Sequence, residues 1–485
     1  MKFQSSYLMS LLLSLCFSVV SAQGNIDAGK WKDESIQNIQ SQYPLYKDIA
    51  LQIWNYAEVG YKEEKSSALL QKTLKENGFD VTPGVAGIPT AFVATYGSGK
   101  PIIGILAEYD ALPGLSQEAT PEKKSIENKN AGHACGHHLF GTASVAAGIE
   151  IKKMLEQKKF KGTIKVYGCP AEEGGSGKVY MVREGLFNDV DAVIHWHPDS
   201  ENRITMTKAL ANSSAKFRFY GVSSHASSAP ERGRSALDAV EAMNNMVNMM
   251  REHIPQETRI HYVITSGGKA PNVVPDFAEV YYYVRNPDRS IVQSVFERVV
   301  KASKGAAMGT ETTTDYEIIG GTYDLLINHT LARAMQKNLE KVGGIKYTPQ
   351  EIVFGKKIQT SFDFAHPAID SAAIVKKLKI QEDAGGGSTD VGDVSWTVPT
   401  VGLRAATWVP GTPAHSWQAV ASGGTEIGVK GLMVAAKTIA LTAIDLYTQP
   451  LLIEKAKQEF KNARGNNFQY KALLGDRKPA LNYRD

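Results

Sequence analysis

Three short apolar runs end in the same manner, and together they restrict the fold more than any other feature of the sequence. "PIIGILAEYD" (101–110) closes on Glu108 and Asp110, "GTIKVYGCPAEEGG" (162–175) on Glu172 and Glu173, and "DAVIHWHPD" (191–199) on His195, Trp196 and His197. Runs this short, bounded by Gly and Pro, read as buried strands. Between the first two, "LFGTASVAAGIEIKKMLEQKK" (139–159) has the length and apolar content of a helix. Alternating strands and helices predict an α/β domain with a mainly parallel sheet. In such sheets ligands bind at the carboxyl ends of the strands, where these acids and histidines fall.

At 485 residues the chain is too long for one simple core, so two or more domains are expected. Hydrophobic residues make up 43% and charged residues 21%, an ordinary globular balance. A formal charge of +4 gives no support for nucleic-acid or membrane-surface binding. Lys2, the apolar run "YLMSLLLSLCFSVV" (7–20) and the small residues before Gln23 match a secretory signal peptide cleaved after Ala22. Export to a periplasm or to the outside, without an anchor, is expected; Leu15 before Cys16 argues against a lipoprotein.

Residues 36–78 read as helical, and "TAFVATYG" (90–97) as a strand. The pattern changes near residue 213. "AKFRFYG", the amphipathic "SALDAVEAMNNMVNMMREHI", "RIHYVITS", "AEVYYYVR", a helix over 290–304 and "TDYEII" give the order β-α-β-β-α-β of a ferredoxin-like unit. The expected organisation is a signal peptide (1–22), a first catalytic part (23–212), an inserted α+β domain (213–324), a second catalytic part (325–449) and a C-terminal helix with a draped tail (450–485).

The loop "NAGHACGHHLFGTAS" (130–144) collects His133, Cys135, His137 and His138 from a chain with only three cysteines and eleven histidines. In an oxidising compartment Cys135 and Cys169 invite a disulfide. A pair of divalent ions offers another account, since it needs several His, carboxylate or thiolate ligands and an anion bridging both. Cys135, His137, Glu172, Glu173, His197 and His415 are the candidates, each in a Gly- or Pro-punctuated turn. Cys135 precedes a helix, whose N-terminal dipole favours a thiolate.

The motifs "EYDALPG", "HACGH", "PAEEGG", "HWHP", "GVSSHASSAPERGRSALDA", "NVVPDFAEVYYYVR" and "GTPAHS" run in one order across nearly the whole chain. In them the chain resembles the co-catalytic metallopeptidases that include carboxypeptidase G, aminoacylase, hippurate hydrolase and the plant auxin-conjugate amidohydrolases. "GHACGHH", "GCPAEEGG", "WHP" and "GSTDVGDVSW" most resemble the p-aminobenzoyl-glutamate hydrolase branch. The resemblance implies two divalent ions per subunit, zinc or manganese, bridged by Cys135. It makes His137, Glu173, His197 and His415 further ligands, Glu172 the general base and Asp110 an acid that orients a ligand. It also implies a homodimer whose inserted domain acts as lid and dimerisation surface. His225 would reach the neighbouring subunit's site, with Asn272 and Arg285 holding substrate. The family's His-x-Asp pair is Glu108-Tyr109-Asp110 here, so His137 must serve in place of that His.

Other features receive plainer readings. His133 and His138 read as supporting residues, and His195 as lying one layer below His197. His253, His261, His329 and His366 carry no assigned chemistry. Met243, Met246, Met249 and Met250 read as helix packing. "GGGSTDVGD" lacks the Lys-Ser/Thr ending of a phosphate loop and reads as an active-site loop with Asp390 and Asp393 as supporting acids. The expected activity is hydrolysis of N-acyl or N-aroyl amino acids, p-aminobenzoyl-glutamate-like conjugates foremost. Alternatives are a dipeptidase or general aminoacylase and, in another class, a non-catalytic exported metal- or solute-binding protein.

Overall fold

A computed structural model describes residues 28–379 and 385–484; the expected signal peptide lies outside the described residues. Along the chain, β1 (Asp80–Pro83), β2 (Phe92–Ser98) and β3 (Ile102–Ala107) precede a two-residue ladder of β4 (Leu112–Pro113) with β5 (Ala131–Gly132). Then come β6 (Gly162–Gly168), β7 (Ala192–Asp199) and β8 (Arg203–Ile204). A second group follows: β9 (Ala211–Tyr220), β10 (Arg259–Ser266), β11 (Phe277–Asn286) and β12 (Thr313–Thr322). The last strand is β13 (Thr400–Ala406).

The main sheet has the order β1-β2-β6-β3-β7-β13-β8. Its centre, β6-β3-β7-β13, is parallel, while β1, β2 and β8 pair antiparallel at the edges. The parallel strands are buried on both faces, as near-continuous apolar runs require, with Ile105, Val166, Ile194 and Leu403 fully enclosed. From β3 the chain crosses to β6 on one side, then returns past β3 to β7 on the other. The carboxyl end of β3 is therefore a topological switch point, the place where open α/β sheets form ligand sites.

Helix His137–Glu156 lies beside helix Glu426–Thr448 against these strands. Both are apolar nearly all round and buried nearly all round. Glu426–Thr448 is long and apolar enough to span a membrane, but protein covers most of it.

The helical reading of residues 36–78 is too continuous. One helix runs through residues 28–41 and others span Tyr43–Tyr56 and Glu64–Glu76. Ala57 and Tyr61 adopt left-handed backbone in the break. This break bridges Val59 to Ala111 and delivers Glu63 to the turn around Ala171, contacts a continuous helix could not make. Helix Pro349–Gln359, not anticipated from periodicity, is signalled by the capping box of Thr348 and Glu351.

The second sheet has the order β10-β11-β9-β12, fully antiparallel, with helices Ala236–Met250 and Arg289–Gly309 packed on it. It has the ferredoxin-like connectivity and its own core around Phe217, Val240, Val280 and Val299. The four methionines divide by helical phase. Met243 and Met250 are buried, whereas Met246 and Met249 are exposed, Met246 lying along the Gly305 face of the neighbouring helix.

Leu432 is fully buried in helix Glu426–Thr448 and Leu451 is largely exposed. Leu432→Ala should lower unfolding free energy by about 2–5 kcal/mol in a denaturant titration. Leu451→Ala should change it by no more than about 0.5 kcal/mol.

Candidate metal centre

The parallel strands bring their carboxyl ends to one edge, and the candidate ligands follow them: Glu108 and Asp110 after β3, Glu172 and Glu173 after β6, and His197 near the end of β7. His415 lies in the loop after β13. Cys135 and His137 come from the turn that starts helix His137–Glu156. That turn needs Gly136, whose φ is +76° and where a Cβ would lie 2.7 Å from Pro198 at the end of β7.

Potential ligand atoms converge in three groups, each lying within 4.8 Å: Cys135, His137 and His197; Cys135, Glu173 and His415; and Glu108, His137 and Glu172. Cys135 belongs to the first two, the place a bridging ligand must occupy. Its Sγ is 3.3 Å from His197 Nε2, and His415 Nε2 is 3.1 Å from Glu173 Oε1. His137 Nδ1 lies 2.8 Å from Asp110 Oδ1, which turns Nε2 toward the cluster. His197 Nδ1 faces the Pro198 carbonyl at 2.7 Å and likewise leaves Nε2 free for the cluster. Histidines held this way are set up as metal ligands. Asp110 also accepts from the Glu173 N–H at 2.9 Å, so one carboxylate orients two of the candidates. His415 is held in left-handed backbone, with φ +59°, a conformation uncommon for a non-glycine residue.

The electrostatics are dominated by burial. Burial pushes the Glu172 carboxyl well above its ordinary range, reinforced by Glu108, Glu173 and Asp390 and opposed by His137. Burial would strip the proton from His137, but Cys135, Asp110 and Glu108 outweigh it and raise its pKa well above the ordinary value. His197 goes the other way, lowered by burial and then by Arg404 and His137. Burial followed by Glu173 pushes the Cys135 thiol up. The helix dipole therefore does not secure a thiolate by itself; a cation beside the sulfur is needed.

The donor set fits divalent metals. Cysteine, histidine and carboxylate are the ligand types zinc takes, and His137 Nε2 and Glu108 Oε2 are buried 3.2 Å apart with no hydrogen-bond partner. Neither cysteine is in a disulfide, and the Cys169 Sγ–H instead donates to the Tyr167 carbonyl at 3.2 Å.

Two buried groups carry no local sequence signal. Lys178 is fully enclosed, its Nζ 2.6 Å from Glu108 Oε1 and 2.7 Å from Asp390 Oδ1. Burial would neutralise this ammonium, but Asp390 and Glu108 hold its pKa well above the ordinary value. Glu63 accepts from the Ala171 N–H at 2.8 Å and the Thr90 hydroxyl at 2.9 Å, and burial followed by Asp110 raises its carboxyl to about 8. A lysine in "GGSGK" and a glutamate in a polar helix-to-helix break both look like surface residues; only the folded chain encloses them.

The supporting histidines have backbone partners: His133 Nε2 is 3.1 Å from the Ile53 carbonyl and His138 Nε2 is 3.0 Å from that of Gly423. His195 is buried against Gly402, and burial lowers its pKa to about 3. Asp390 reaches the centre through Lys178. Asp393 does not: it accepts from the Tyr323 N–H and the Tyr470 hydroxyl at the C-terminal segment.

His225 and Asn272 lie together in the ferredoxin-like unit, where the Ala226 N–H donates to the Asn272 carbonyl and His225 bridges Val273. Both are exposed. Arg285 lies apart from them on β11, its guanidinium 5.3 Å from the Tyr283 ring and its Nε buried without a partner.

The fold and the clustered donors define a candidate dinuclear metal site, and the family this chain matches makes it a hydrolase of amide bonds. Residues 104–419 match peptidase family M20/M25/M40, and the chain belongs to that family. It is 42% identical over 446 residues to one of the component chains of p-aminobenzoyl-glutamate hydrolase from Escherichia coli (strain K12), covering 87% of this chain and 93% of that protein. Identity to Xaa-Arg dipeptidase of Mus musculus is 30% over 433 residues, covering 84% and 87%. Among solved structures, a dinuclear metal-binding M20 peptidase of Bacillus subtilis superposes with a TM-score of 0.57 at 16% identity, covering 84% of this chain and 99% of that one.

Two measurements test this centre. Asp110→Asn should weaken zinc or manganese binding by about 10–100-fold in calorimetric titration, because it loosens His137 and the Glu173 main chain together. Glu63 has a folded pKa raised to about 8, against an unfolded value near 4.5. In the chelator-treated protein the unfolded state loses this proton first as pH rises. The destabilisation is absent below about pH 4.5, grows through the interval and is complete above about pH 8. Glu63→Gln should therefore gain stability over wild type between about pH 5 and 8, and an unchanged difference would contradict a buried, proton-retaining Glu63.

Proposed function

We propose that the chain is an exported amidohydrolase that removes the acyl or aroyl group from an N-conjugated amino acid, p-aminobenzoyl-glutamate-like conjugates being the favoured substrates. One observation carries the reading: Cys135 is common to two ligand triads, and the raised carboxyl of Glu172 lies beside them. The two triads would hold one divalent ion each, zinc or manganese, with Cys135 between them. The identity to the Escherichia coli hydrolase chain supports the choice of substrate.

When bound, two such ions supply the Lewis acidity that acidifies a water and polarises an amide carbonyl. Glu172 takes the proton from the attacking water and carries it to the leaving nitrogen, work suited to a carboxyl whose basicity is raised by burial and by neighbouring acids. Asp110 keeps His137 and the Glu173 main chain in place while this happens. His225, exposed on the second unit, would donate to the oxyanion in a neighbouring subunit's site, the role its resemblance to the family's histidine implies. Asn272, beside His225, and Arg285, apart from them on β11, would each help hold the substrate. No covalent bond to the protein forms. The proposed assembly is a homodimer joined through the ferredoxin-like unit, where edge strand β10 exposes Val263 and Ile264 and the adjacent helix exposes Met246 and Met249. The identity to the mouse dipeptidase favours a second reading, cleavage of dipeptides.

Amino-acid release from p-aminobenzoyl-glutamate, N-acetyl amino acids and Xaa-Arg dipeptides, after loading with zinc or manganese, separates these readings. Glu172→Ala should keep its metal and lose turnover by about 10²–10⁴-fold. Wild type inert on the whole panel would favour a binding protein instead. Mixing His225→Ala with Glu172→Ala subunits should restore activity; dimers that form without recovery would exclude action in trans. N-terminal sequencing of the exported protein should begin at Gln23.

A further inference from the structure

Beyond helix Pro450–Arg464, residues 465–484 form no helix or strand, yet side-chain contacts fix their path. Tyr470 donates to Asp393 at 2.7 Å, anchoring the start of the segment. Farther on it crosses β12, where Arg477 donates to the carbonyls of Ile318 and Ile319 and pairs with Glu317 at 3.5 Å. This is where β12 slips register against β9. The segment then reaches the turn that carries Glu172 and Glu173. There the Tyr483 hydroxyl and Arg484 Nη2 both donate to the Glu173 carbonyl, at 3.0 and 2.6 Å. The fit is close: a Cβ on Gly60 would lie 2.1 Å from the Tyr483 oxygen.

The turn needs such support. Ala171 and Ser176 flank it with φ of +55° and +59°, conformations that persist only where the surroundings over-determine them. Its N–H groups are held from within the catalytic part, Ala171 by Glu63 and Glu173 by Asp110. On the carbonyl side of Glu173 the donors come from the C-terminal segment. The Glu173 peptide is thus gripped on both sides, which fixes the direction of its side chain toward His415.

We propose that residues 477–484 are a positioning strap for the catalytic turn. Tyr483 and Arg484 set the Glu172–Glu173 backbone, and Arg477 ties that setting to the ferredoxin-like unit. The strap links the placement of this unit to the geometry of the base and of one ligand, and it rests on the roles proposed above for Glu172 and Glu173. Tyr483 and Arg484 bond to the Glu173 carbonyl and act through Glu173.

The test compares Tyr483→Phe/Arg484→Gln, Arg484→Lys and Arg477→Gln with wild type in the full-length protein. It reads zinc or manganese affinity by calorimetry, kcat and KM on a conjugate wild type hydrolyses, and melting of the metal-free protein. The double variant should lose about 10–100-fold in metal affinity, the usual effect of removing an outer support. Its kcat should fall while KM stays close to wild type, and its melting temperature should move by less than about 4 °C. Arg484→Lys keeps a donor and should recover part of the loss. Arg477→Gln should keep metal affinity and change KM. A double variant that binds metal and turns over like wild type overturns the strap. So does a loss of affinity that only follows melting and is not rescued by Arg484→Lys. Wild type that binds metal but hydrolyses nothing defeats the proposed function alone, and metal affinity still decides the strap. Wild type that binds neither ion overturns both.

Discussion

Buried negative charge at the carboxyl ends of the parallel strands is the constraint around which this structure is arranged. Glu108, Asp110, Glu172 and Asp390 gather there with the thiol of Cys135, while Lys178 is the buried ammonium between two of them and His137, its pKa raised, lies against Asp110 and Glu108. Carboxylates taken from water at this density must be paired, protonated or bound to a cation. Lys178 answers part of the demand by sitting between Glu108 and Asp390. Burial and neighbouring carboxylates answer another part by raising the pKa of Glu172 and Cys135, which disfavours their charged forms. Divalent ions in the proposed positions would answer the rest, letting the thiol ionise and His137 give up its proton.

The fold follows from meeting that constraint. A parallel sheet puts several strand ends on one edge, so residues from positions 108 to 415 converge without a long excursion by any one of them. Close approaches at Gly136 and Gly60 let neighbouring segments come near enough to hold the turns. The ferredoxin-like unit keeps a separate core, and the C-terminal segment joins it to the Glu173 turn.

Much of this is legible in the sequence. Short apolar runs bounded by Gly and Pro mark β3, β6 and β7, and the order of strands and helices marks the second unit. The same local logic expects Cys135, His137, Glu172, Glu173, His197 and His415 in turns; the structure brings those six together, although His137 opens a helix and His197 lies within β7. What local pattern cannot supply is the partner of each charge. Lys178 follows a glycine-rich turn and Glu63 a helix break, and nothing near either in the chain foretells enclosure; Asp390 and Ala171 lie 212 and 108 residues away. Asp393 shows the converse, an acid in an active-site-like loop whose hydroxyl partner, on Tyr470, belongs to the C-terminal segment. Helical phase does separate inward Met243 and Met250, on one stripe with Val240 and Val247, from outward Met246 and Met249.

The central claim is that Cys135 sulfur lies between two cations. Anomalous diffraction from crystals grown with zinc tests it most directly. The expected result is two peaks about 3.5–4 Å apart, both about 2.3 Å from Cys135 Sγ, one shared with His137 and His197 and the other with Glu173 and His415. A single peak, or peaks away from Cys135, would contradict it, as would a Cys135–Cys169 disulfide in protein that hydrolyses its substrate.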